Sequence, residues 1–412
     1  MSRIGIVAEF NPFHTGHKYI IDYAKNELKA DSVVIALGNE FTQRGGLAVL
    51  DRYSRAECAI DAGADLVIGM PAIASVSSAE IFAECGVCLL HACGCERIVC
   101  GYEGVSESED SQFACTSSGV SAIKDIARVL SDEPSEYKAV LKKELSSGKS
   151  FPAARESALS GFFHSDKVHD LVSNPNNILA IEYQKAIIRH GFDIELIPVK
   201  RQGTGYNDSE NDGVFVSASY IRNQINGGNL SAVRNHLTDF SYKALNDACN
   251  KNVLLSDNDL SLPLHLALLS HDDYRDFLDV SDDLSDRITK LLPEYTGFSK
   301  FTELIKNKSL TASRVRRALI HILLGITDDD LSAFRARGSV PYLWVLKTSK
   351  TGRSMLKEIK SSAAVPLFMS TNELTDKDII SEDLKTLSLV RALRIHKSGI
   401  LLPNEFQRKV HL

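Results

Sequence analysis

The 412-residue chain contains no long uninterrupted hydrophobic run. No segment approaches the roughly 20 consecutive apolar residues of a membrane-spanning helix, so we expect neither a membrane span nor a membrane partner. The amino terminus also lacks the apolar core and cleavage site of a secretory signal peptide. Internal repeats and low-complexity linkers are missing as well. The sequence therefore predicts a cytoplasmic protein with two or three globular domains.

Cysteine, in contrast, is locally abundant. Of the eight cysteines, five fall within sixteen residues: Cys85, Cys88, Cys93, Cys95 and Cys100. The first two have the spacing of zinc or iron–sulfur ligands, but they lie in an amphipathic helical stretch where cysteine acts as a small hydrophobic residue. We therefore predict core cysteines rather than a metal site, and no disulfides in a reducing compartment.

The first hundred residues alternate short apolar segments with amphipathic ones. The apolar segments, predicted as strands, are residues 4–8, 32–37, 66–69 and 97–100. The amphipathic segments, predicted as helices, are residues 18–29, 52–62 and 79–92. This alternation predicts an α/β fold with a doubly wound, Rossmann-like parallel sheet covered by helices. Ligands of such sheets bind at the carboxyl ends of the strands.

The later part of the chain is mainly helical. Residues from about 106 to 172 form a predicted helical insertion, after which a strand at 194–199 continues the sheet. Beyond about residue 229 helical periodicity dominates, apart from α/β-like segments at 341–346 and 363–369. The predicted units are therefore a first domain, residues 1–228, which contains the insertion, and a mainly helical region, residues 229–412.

Positive charge is concentrated in one part of the chain. The formal net charge is −6, but residues 297–360 contain thirteen Lys or Arg against five Asp or Glu. This segment therefore carries about +8 and the remainder about −14. Such an excess fits a polyanionic partner such as nucleic acid, and a solvated helical surface is the alternative.

A His-Thr-Gly-His motif at 14–17 follows the first predicted strand. Asn11 and Pro12 end the strand, and a predicted amphipathic helix starts at His17. A turn between strand and helix exposes backbone N–H groups and the positive end of the helix dipole, which favour an anion. Gly16 lets the backbone approach a ligand closely. The bare tetrapeptide is also compatible with surface or metal-binding histidines.

A second motif, Ser-Ala-Ser-Tyr-Ile-Arg, covers residues 217–222. Two hydroxyl groups at a predicted helix start can cap the helix and face an anion, and Arg222 can reach phosphates from the first turn. A common serine cap followed by a surface arginine is the alternative.

Together the two motifs resemble the His-x-Gly-His and Ser-Ser-Thr-x-x-Arg signatures of the nucleotidylyltransferase superfamily, with Ala218 and Ser219 at the second and third positions of the latter. The resemblance implies a nucleotidylyltransferase-type sheet, attack on the α-phosphate of ATP and release of pyrophosphate. Further segments resemble the bacterial tRNA(Met) cytidine acetate ligases. These segments are residues 38–45, 51–57, 63–71, 78–82, 176–179, 200–201, 205–206 and 313–325.

That family activates acetate with ATP as acetyl-adenylate and transfers the acetyl group to the N4 amine of the wobble cytidine of elongator tRNA(Met). The resemblance implies ATP as co-substrate, Mg²⁺ bound through the nucleotide, and acetate and elongator tRNA(Met) as the other substrates. One alternative is a nucleotidylyltransferase that adenylylates a small metabolite, which the basic 297–360 segment disfavours. A non-catalytic, ATP-sensing RNA-binding protein is the other, and the intact motifs disfavour it.

Within this resemblance, His14, His17 and Arg222 are the predicted catalytic residues, because they would stabilise charge on the triphosphate. The predicted ATP-binding residues occupy the end of the first strand, the turn, the following helix and three other strand or helix ends. They are Val7, Ala8, Glu9, Phe10, Asn11, Pro12, Phe13, Thr15, Gly16, Lys18, Tyr19, Ile20, Gly101, Asn176, Asn177, Arg201 and Ser217.

Arginines are the predicted contacts to acetate and RNA. Arg44 can orient acetate, hold an RNA phosphate or form a structural ion pair. Arg314, Arg316 and Arg317 lie on a predicted helix and are candidate tRNA contacts, with exposed charge opposite an apolar stripe as the alternative. Glu40 is an extra residue relative to the usual family pattern, so we expect the loop around Arg44 to differ from that of the family.

Overall fold

The computed structural model describes residues 2–103, 118–165, 168–200 and 216–408. Its strands are β1 Arg3–Ala8, β2 Ser32–Leu37, β3 Leu66–Gly69, β4 Arg97–Tyr102, β5 Glu195–Lys200, β6 Leu343–Thr348 and β7 Leu367–Phe368. The helices up to β5 are α1 Thr15–Asn26, α2 Arg52–Asp61, α3 Ala72–Ser75, α4 Ala79–Ala92, α5 Ser118–Asp132, α6 Ser135–Ser146, α7 Phe151–Phe163, α8 Val168–Ser173 and α9 Pro175–His190. The later helices are α10 Ala218–Asn226, α11 Asp239–Asn250, α12 Ser261–Leu269, α13 Asp282–Leu291, α14 Phe298–Ile305, α15 Ala312–Leu324, α16 Asp328–Ala336, α17 Lys350–Ser362 and α18 Ser381–Ser398. Short 3-10 helices occur at Leu230–His236, Asp257–Leu260, Leu292–Glu294, Thr371–Glu373 and Asp378–Ile380.

The seven strands of the described residues form one sheet in the order β5-β4-β1-β2-β3-β6-β7. The first five strands along the chain are parallel, whereas β6 runs antiparallel to β3. This confirms the predicted α/β fold with a largely parallel sheet. The chain moves outward from β1 in one direction to β3 and then in the other to β5. Folds of this kind bind ligands in the crevice where the order reverses, here between the carboxyl ends of β1 and β4.

Helices cover both faces of the sheet. α1 and α2 pack on one face, and α4 and α9 pack on the other. Two glycines permit close contact between α4 and β1: a Cβ on Gly5 would lie 2.6 Å from Leu90, and a Cβ on Gly86 would lie 2.7 Å from Val7. The close packing fixes the position of β1, whose carboxyl end carries the His-Thr-Gly-His motif.

The clustered cysteines lie in the core of the α4 side. Cys85 and Cys88 lie on α4, Cys93 and Cys95 follow it, and Cys100 lies on β4; all five are buried free thiols. Burial raises the pKa of each thiol, because the thiolate is poorly solvated there. The prediction that they act as small hydrophobic core residues is confirmed.

The described part of the predicted insertion is helical. α5 packs against α9, and Arg155 on α7 forms an ion pair with the buried Glu182 on α9 at 2.7 Å. Within the ranges that the structure describes, no helix is long and apolar enough to cross a bilayer.

The carboxyl-terminal half contributes two strands to the sheet. β6 pairs with β3, and β7 extends the sheet by pairing with β6. These strands lie in or next to the α/β-like segments identified in the sequence. Strands from both sides of residue 228 thus share one sheet, and the domain division near that residue stays a prediction.

Candidate active site

α1 begins with two stacked histidines at the carboxyl end of β1. His14 is the N-cap, and its Nδ1 accepts the N–H of Gly16 at 3.1 Å. His17 Nδ1 accepts the N–H of His14 at 3.2 Å, which completes a capping box. The two rings stack with centroids 3.7 Å apart. The helix start itself therefore holds both imidazoles in place.

These hydrogen bonds decide what the imidazoles offer to a ligand. Because both Nδ1 atoms accept backbone N–H groups, the neutral form of each ring carries its proton on Nε2. His14 and His17 can therefore each donate one hydrogen bond through Nε2. Two such donors beside a helix N-terminus suit an anion such as a phosphate.

Arg222 connects the second motif to this turn. Ser217 caps α10 by accepting the N–H of Tyr220 at 3.2 Å. From α10, Arg222 donates to the carbonyl of Asn11 at 2.8 Å and to Ser219 Oγ at 2.9 Å. The structure thus joins Arg222 of the second motif to the turn that precedes the first motif, across 211 positions of sequence.

The predicted asparagines lie at the end of β4, next to β1. Asn177 is buried, and its Oδ1 accepts the N–H of Glu103 at 2.8 Å. Asn176 Nδ2 donates to the carboxylate of the same glutamate, also at 2.8 Å. Gly101 is half-buried in β4 itself. These residues border the crevice between β1 and β4, whereas Arg201 lies outside the described residues.

Aromatic packing supports the turn after β1. Phe10 has a φ of 49°, which is rare for a bulky residue, and its ring contacts Phe13 and His17 edge-on, with both pairs of centroids 4.8 Å apart. On α1, Lys18 forms a half-exposed ion pair with Asp22 at 2.7 Å. The other predicted residues of this stretch lie in β1, the turn and α1: Val7, Ala8, Pro12, Thr15, Tyr19 and Ile20.

A cavity of about 340 Å³ opens beside this turn, between the end of β1, the 42–49 loop and the start of α15. Three arginines line it: Arg44, Arg222 and Arg316. The carboxylates of Glu9 and Asp257 line it as well. Its volume lies at the lower end of the range of about 300–1,000 Å³ that is usual for small-molecule sites. The cavity therefore offers a small, polar and largely basic space next to the predicted phosphate site.

Arg316 holds the loop that carries Arg44. Its Nε donates to the carbonyl of Gly45 at 2.9 Å, and its guanidinium forms an ion pair with Asp257. Asp257 also accepts the N–H of Leu47 at 2.9 Å. Gly45 has a φ of 73°, and a Cβ there would lie 2.6 Å from the backbone of α15, so the loop and helix approach as closely as glycine allows.

The three arginines predicted as tRNA contacts therefore have different surroundings. Arg317 forms an ion pair with Asp279 at 2.9 Å, and only 11% of its side chain is exposed. Arg314 is half-buried near the amino end of α15. Contact with tRNA remains a prediction for all three, and Arg316 has two structural partners, Gly45 in the loop and Asp257.

Sequence reasoning missed the residues that fix the loop after β2. Glu40 is buried, accepts the N–H of Arg52 at 2.9 Å and forms an ion pair with Arg394 on α18 at 3.0 Å. Arg55 is fully buried and donates to the carbonyls of Glu9 (2.7 Å) and Gly38 (3.0 Å), which joins the β1 turn to the β2 loop. The available signal was a charged residue within a segment that resembles the family. The sequence could not identify the partner of Glu40, because Arg394 lies more than 350 positions away.

The described residues contain no group of three or more His, Cys, Asp or Glu side chains that could hold a metal ion. The histidines of the turn use Nδ1 for backbone hydrogen bonds. Mg²⁺ prefers oxygen ligands and usually binds enzymes through substrate phosphates. This donor set therefore fits a Mg²⁺ ion that arrives with the nucleotide rather than one held by the protein.

The chain matches known proteins over almost its entire length. A sequence model of the HIGH Nucleotidyl Transferase family matches residues 1–399. The tRNA(Met) cytidine acetate ligase of Clostridium novyi is 32% identical over 389 residues, covering 94% of both chains. The enzyme of the same name from Clostridium acetobutylicum is 33% identical over 418 residues, covering 100% of this chain and 99% of the relative.

The fold also matches a solved structure. The crystal structure of Thermotoga maritima TmcAL bound with alpha-thio ATP superposes with a TM-score of 0.87 at 26% identity, covering 99% of both chains. An apo crystal form of the same protein gives a TM-score of 0.88 at 27% identity. With its two signature motifs joined at one strand end, the chain belongs to the HIGH nucleotidyl transferase family and, within it, to the tRNA(Met) cytidine acetate ligases.

Proposed function

We propose that this protein is an ATP-dependent tRNA acetate ligase, which forms N4-acetylcytidine at the wobble position of elongator tRNA(Met). The observation that carries the proposal is the hydrogen bond from Arg222 to the carbonyl of Asn11, which places the second nucleotidylyltransferase motif beside the turn that leads into the first. The relatives named tRNA(Met) cytidine acetate ligase, matched over nearly the full chain, support the choice of substrates.

In the first half-reaction an acetate oxygen attacks the α-phosphate of ATP, and pyrophosphate leaves. Two anions must be held close together, and the charge that develops on the pyrophosphate must be stabilised. His14 and His17 supply Nε2 donors at the start of α1, and Arg222 supplies positive charge from α10. Mg²⁺ bound to the ATP phosphates would neutralise part of their charge.

In the second half-reaction the N4 amine of cytidine attacks the acetyl carbon of acetyl-adenylate. The acetyl carbon–oxygen bond breaks, and AMP leaves. The amine is poorly basic, but a mixed anhydride is a reactive acyl donor, so positioning of the base supplies much of the catalysis. The basic residues 297–360 would hold the tRNA through its phosphates, and a cytoplasmic location would give access to tRNA and ATP.

Incubation with ATP, labelled acetate and total tRNA tests this function. We expect the label in N4-acetylcytidine of elongator tRNA(Met), and acetate-dependent release of pyrophosphate. The His17→Ala variant serves as the inactive control. A wild-type protein that leaves tRNA unlabelled would contradict the proposal. Release of pyrophosphate with a small phosphorylated metabolite instead of acetate would favour the alternative nucleotidylyltransferase.

A further inference from the structure

The 340 Å³ cavity is lined by two carboxylates that differ in their hydrogen bonds and ion pairs. Asp257 is fully engaged, since one oxygen accepts the N–H of Leu47 and the other pairs with Arg316. Glu9 is half-buried at the carboxyl end of β1, and its Oε1 accepts the N–H of Gln43 at 2.6 Å. Among the described residues, none donates a hydrogen bond to the second oxygen of Glu9. Glu9 is therefore the carboxylate that can act on a ligand in this cavity.

Glu9 lies between the phosphate-binding turn and the cavity. It lies two residues before Asn11, whose carbonyl receives Arg222, and its own carbonyl receives Arg55 at 2.7 Å. The Glu9 side chain thus faces the cavity from the same strand end that leads into the phosphate-binding turn. A cytosine bound in the cavity would therefore lie next to an adenylate bound at the turn.

The histidines of the turn are poorly placed to take up a proton. Each uses its Nδ1 as an acceptor for a backbone N–H, so its neutral ring has only an Nε2 donor to offer. This leaves the second half-reaction without a proton acceptor among the signature residues. A nearby carboxylate with one available oxygen fills that role.

We propose that Glu9 is the catalytic base of the acetyl-transfer step and that it accepts a proton from the N4 amine of the target cytidine. The proposal rests on the proposed ligase function. The amine nitrogen forms a bond to the acetyl carbon, the bond from that carbon to the adenylate oxygen breaks, and AMP leaves with the electron pair. The amine loses one proton to the Glu9 carboxylate, so the product is the neutral amide.

The lining of the cavity matches the hydrogen-bonding edge of cytosine. That edge has one donor, the N4 amine, and two acceptors, N3 and O2. Acidic side chains typically accept from the N4 amine, and enzymes that modify a base draw it out of the stack into a pocket of this kind. Glu9 supplies the acceptor, while Arg44 and Arg316 supply donors on the opposite loop and helix. The cavity therefore offers an acceptor for the N4 amine and donors for the N3 and O2 atoms.

The surroundings of Glu9 also suit a base. Burial raises the pKa of its carboxyl group, while the Gln43 N–H and the positive charges of Arg222, Arg44 and Arg55 oppose that increase. A higher pKa makes the carboxylate a stronger proton acceptor at neutral pH. Because Glu9 is active only when ionised, the transfer rate should rise as the pH rises through its pKa and then level off.

The Glu9→Gln variant tests this role, because glutamine keeps an acceptor for the Gln43 N–H but cannot take up a proton. Two steps are measured separately: acetate-dependent exchange of pyrophosphate into ATP, and single-turnover transfer to tRNA from preformed enzyme-bound acetyl-adenylate. We expect transfer to fall by about 10²–10⁴-fold, and by at least about tenfold more than exchange, since exchange reports any part that Glu9 has in binding ATP. The matched control is Glu57→Gln, at a carboxylate on the surface of α2, which should leave both steps unchanged.

The pH dependence of transfer gives a second readout. Wild type and Glu9→Asp should both show a rate that rises from acidic to neutral pH, whereas Glu9→Gln should lack this rise. Transfer by Glu9→Gln at the wild-type rate, or an equal loss of exchange and transfer, would overturn the role of Glu9. Neither result would affect the ligase function, which fails only if the wild-type protein does not label tRNA.

Discussion

The turn after β1 and the loop after β2 leave neighbouring strands at the same edge of the sheet, yet different kinds of contact hold them. In the turn, His14 bonds to Gly16 and His17, no more than three positions away. In the loop, Asn39 Nδ2 donates to Asp383 at 2.8 Å, a residue 344 positions away. The capping contacts that begin α1 are thus local, whereas the loop depends on the carboxyl-terminal half.

This difference shows how distant residues control the site. Arg44, a predicted contact of acetate or RNA, lies on the loop, so residues distant in the sequence set its position. The carboxyl-terminal half reaches the loop through four residues: Asp257, Arg316, Asp383 and Arg394. Changes there should alter the loop while the phosphate-binding turn keeps its structure.

The strongest test of this contrast removes the deepest anchor of the loop. Glu40→Ala deletes the partner of the buried Arg394 and an acceptor for the Arg52 N–H. Loss of one partner of a buried ion pair costs about 3–5 kcal/mol, because the remaining charge stays buried without compensation. We expect a decrease of this size in the free energy of unfolding, measured with urea.

Glu57→Ala is the matched control for Glu40→Ala. Glu57 pairs with Lys347 at 3.0 Å, and 46% of its side chain is exposed. Pairs exposed to this degree contribute about 0–1 kcal/mol. Equal stability of the two variants would mean that the Glu40–Arg394 pair does not anchor the loop.

The next test addresses the turn. His17→Ala should raise the activation free energy of acetate-dependent pyrophosphate exchange by about 2.7–4 kcal/mol, the range for loss of one donor to a developing anion. The expected loss in rate is thus about 10²–10³-fold. A decrease of less than tenfold would show that His17 does not contact the reacting phosphates.

His17→Glu separates the helix cap from the chemistry. Glutamate at this position of a capping box can still accept the N–H of His14, so α1 should remain stable. It also replaces a donor to phosphate with a negative charge, so the exchange rate should be at least as low as that of His17→Ala. An active His17→Glu variant would mean that the motif serves only to start the helix.

The same contrast explains what could be predicted from the sequence. The strands at 32–37 and 66–69 were predicted correctly, because their signals are local apolar runs. The helix after the proline break was also predicted, although α1 begins at Thr15 rather than at His17. The pairing of Arg222 with Asn11 was accessible only through the resemblance of two separate motifs.

The loop after β2 could not be predicted in this way. Glu40 was predicted only as an extra residue in the loop, yet it is buried and pairs with Arg394. Arg316 looked like part of a basic face, yet it binds Gly45 and Asp257. Each of these contacts joins residues that only the completed sheet and its carboxyl-terminal helices bring together, and hydrophobic periodicity carries no information about such pairs.

The smallest expected effects distinguish two arginines on one helix. Arg316→Ala removes the hydrogen bond to Gly45 and the ion pair with Asp257. Since this pair is partly exposed, we expect about a tenfold loss of acetyl transfer, or about 1.4 kcal/mol. Arg314→Ala leaves the loop intact. It should weaken tRNA binding alone and reduce the salt dependence of binding by about one unit of slope.

This pair of variants decides whether α15 acts on the site through the loop or on tRNA directly. If all its arginines contact only phosphates, both variants should reduce tRNA affinity and leave single-turnover transfer from saturated tRNA unchanged. If Arg316 holds the loop, its variant should slow transfer even at saturating tRNA, because Arg44 is then no longer fixed beside the cavity. Measurement of transfer at saturating tRNA for both variants, with binding measured over a range of salt concentrations, separates the two cases.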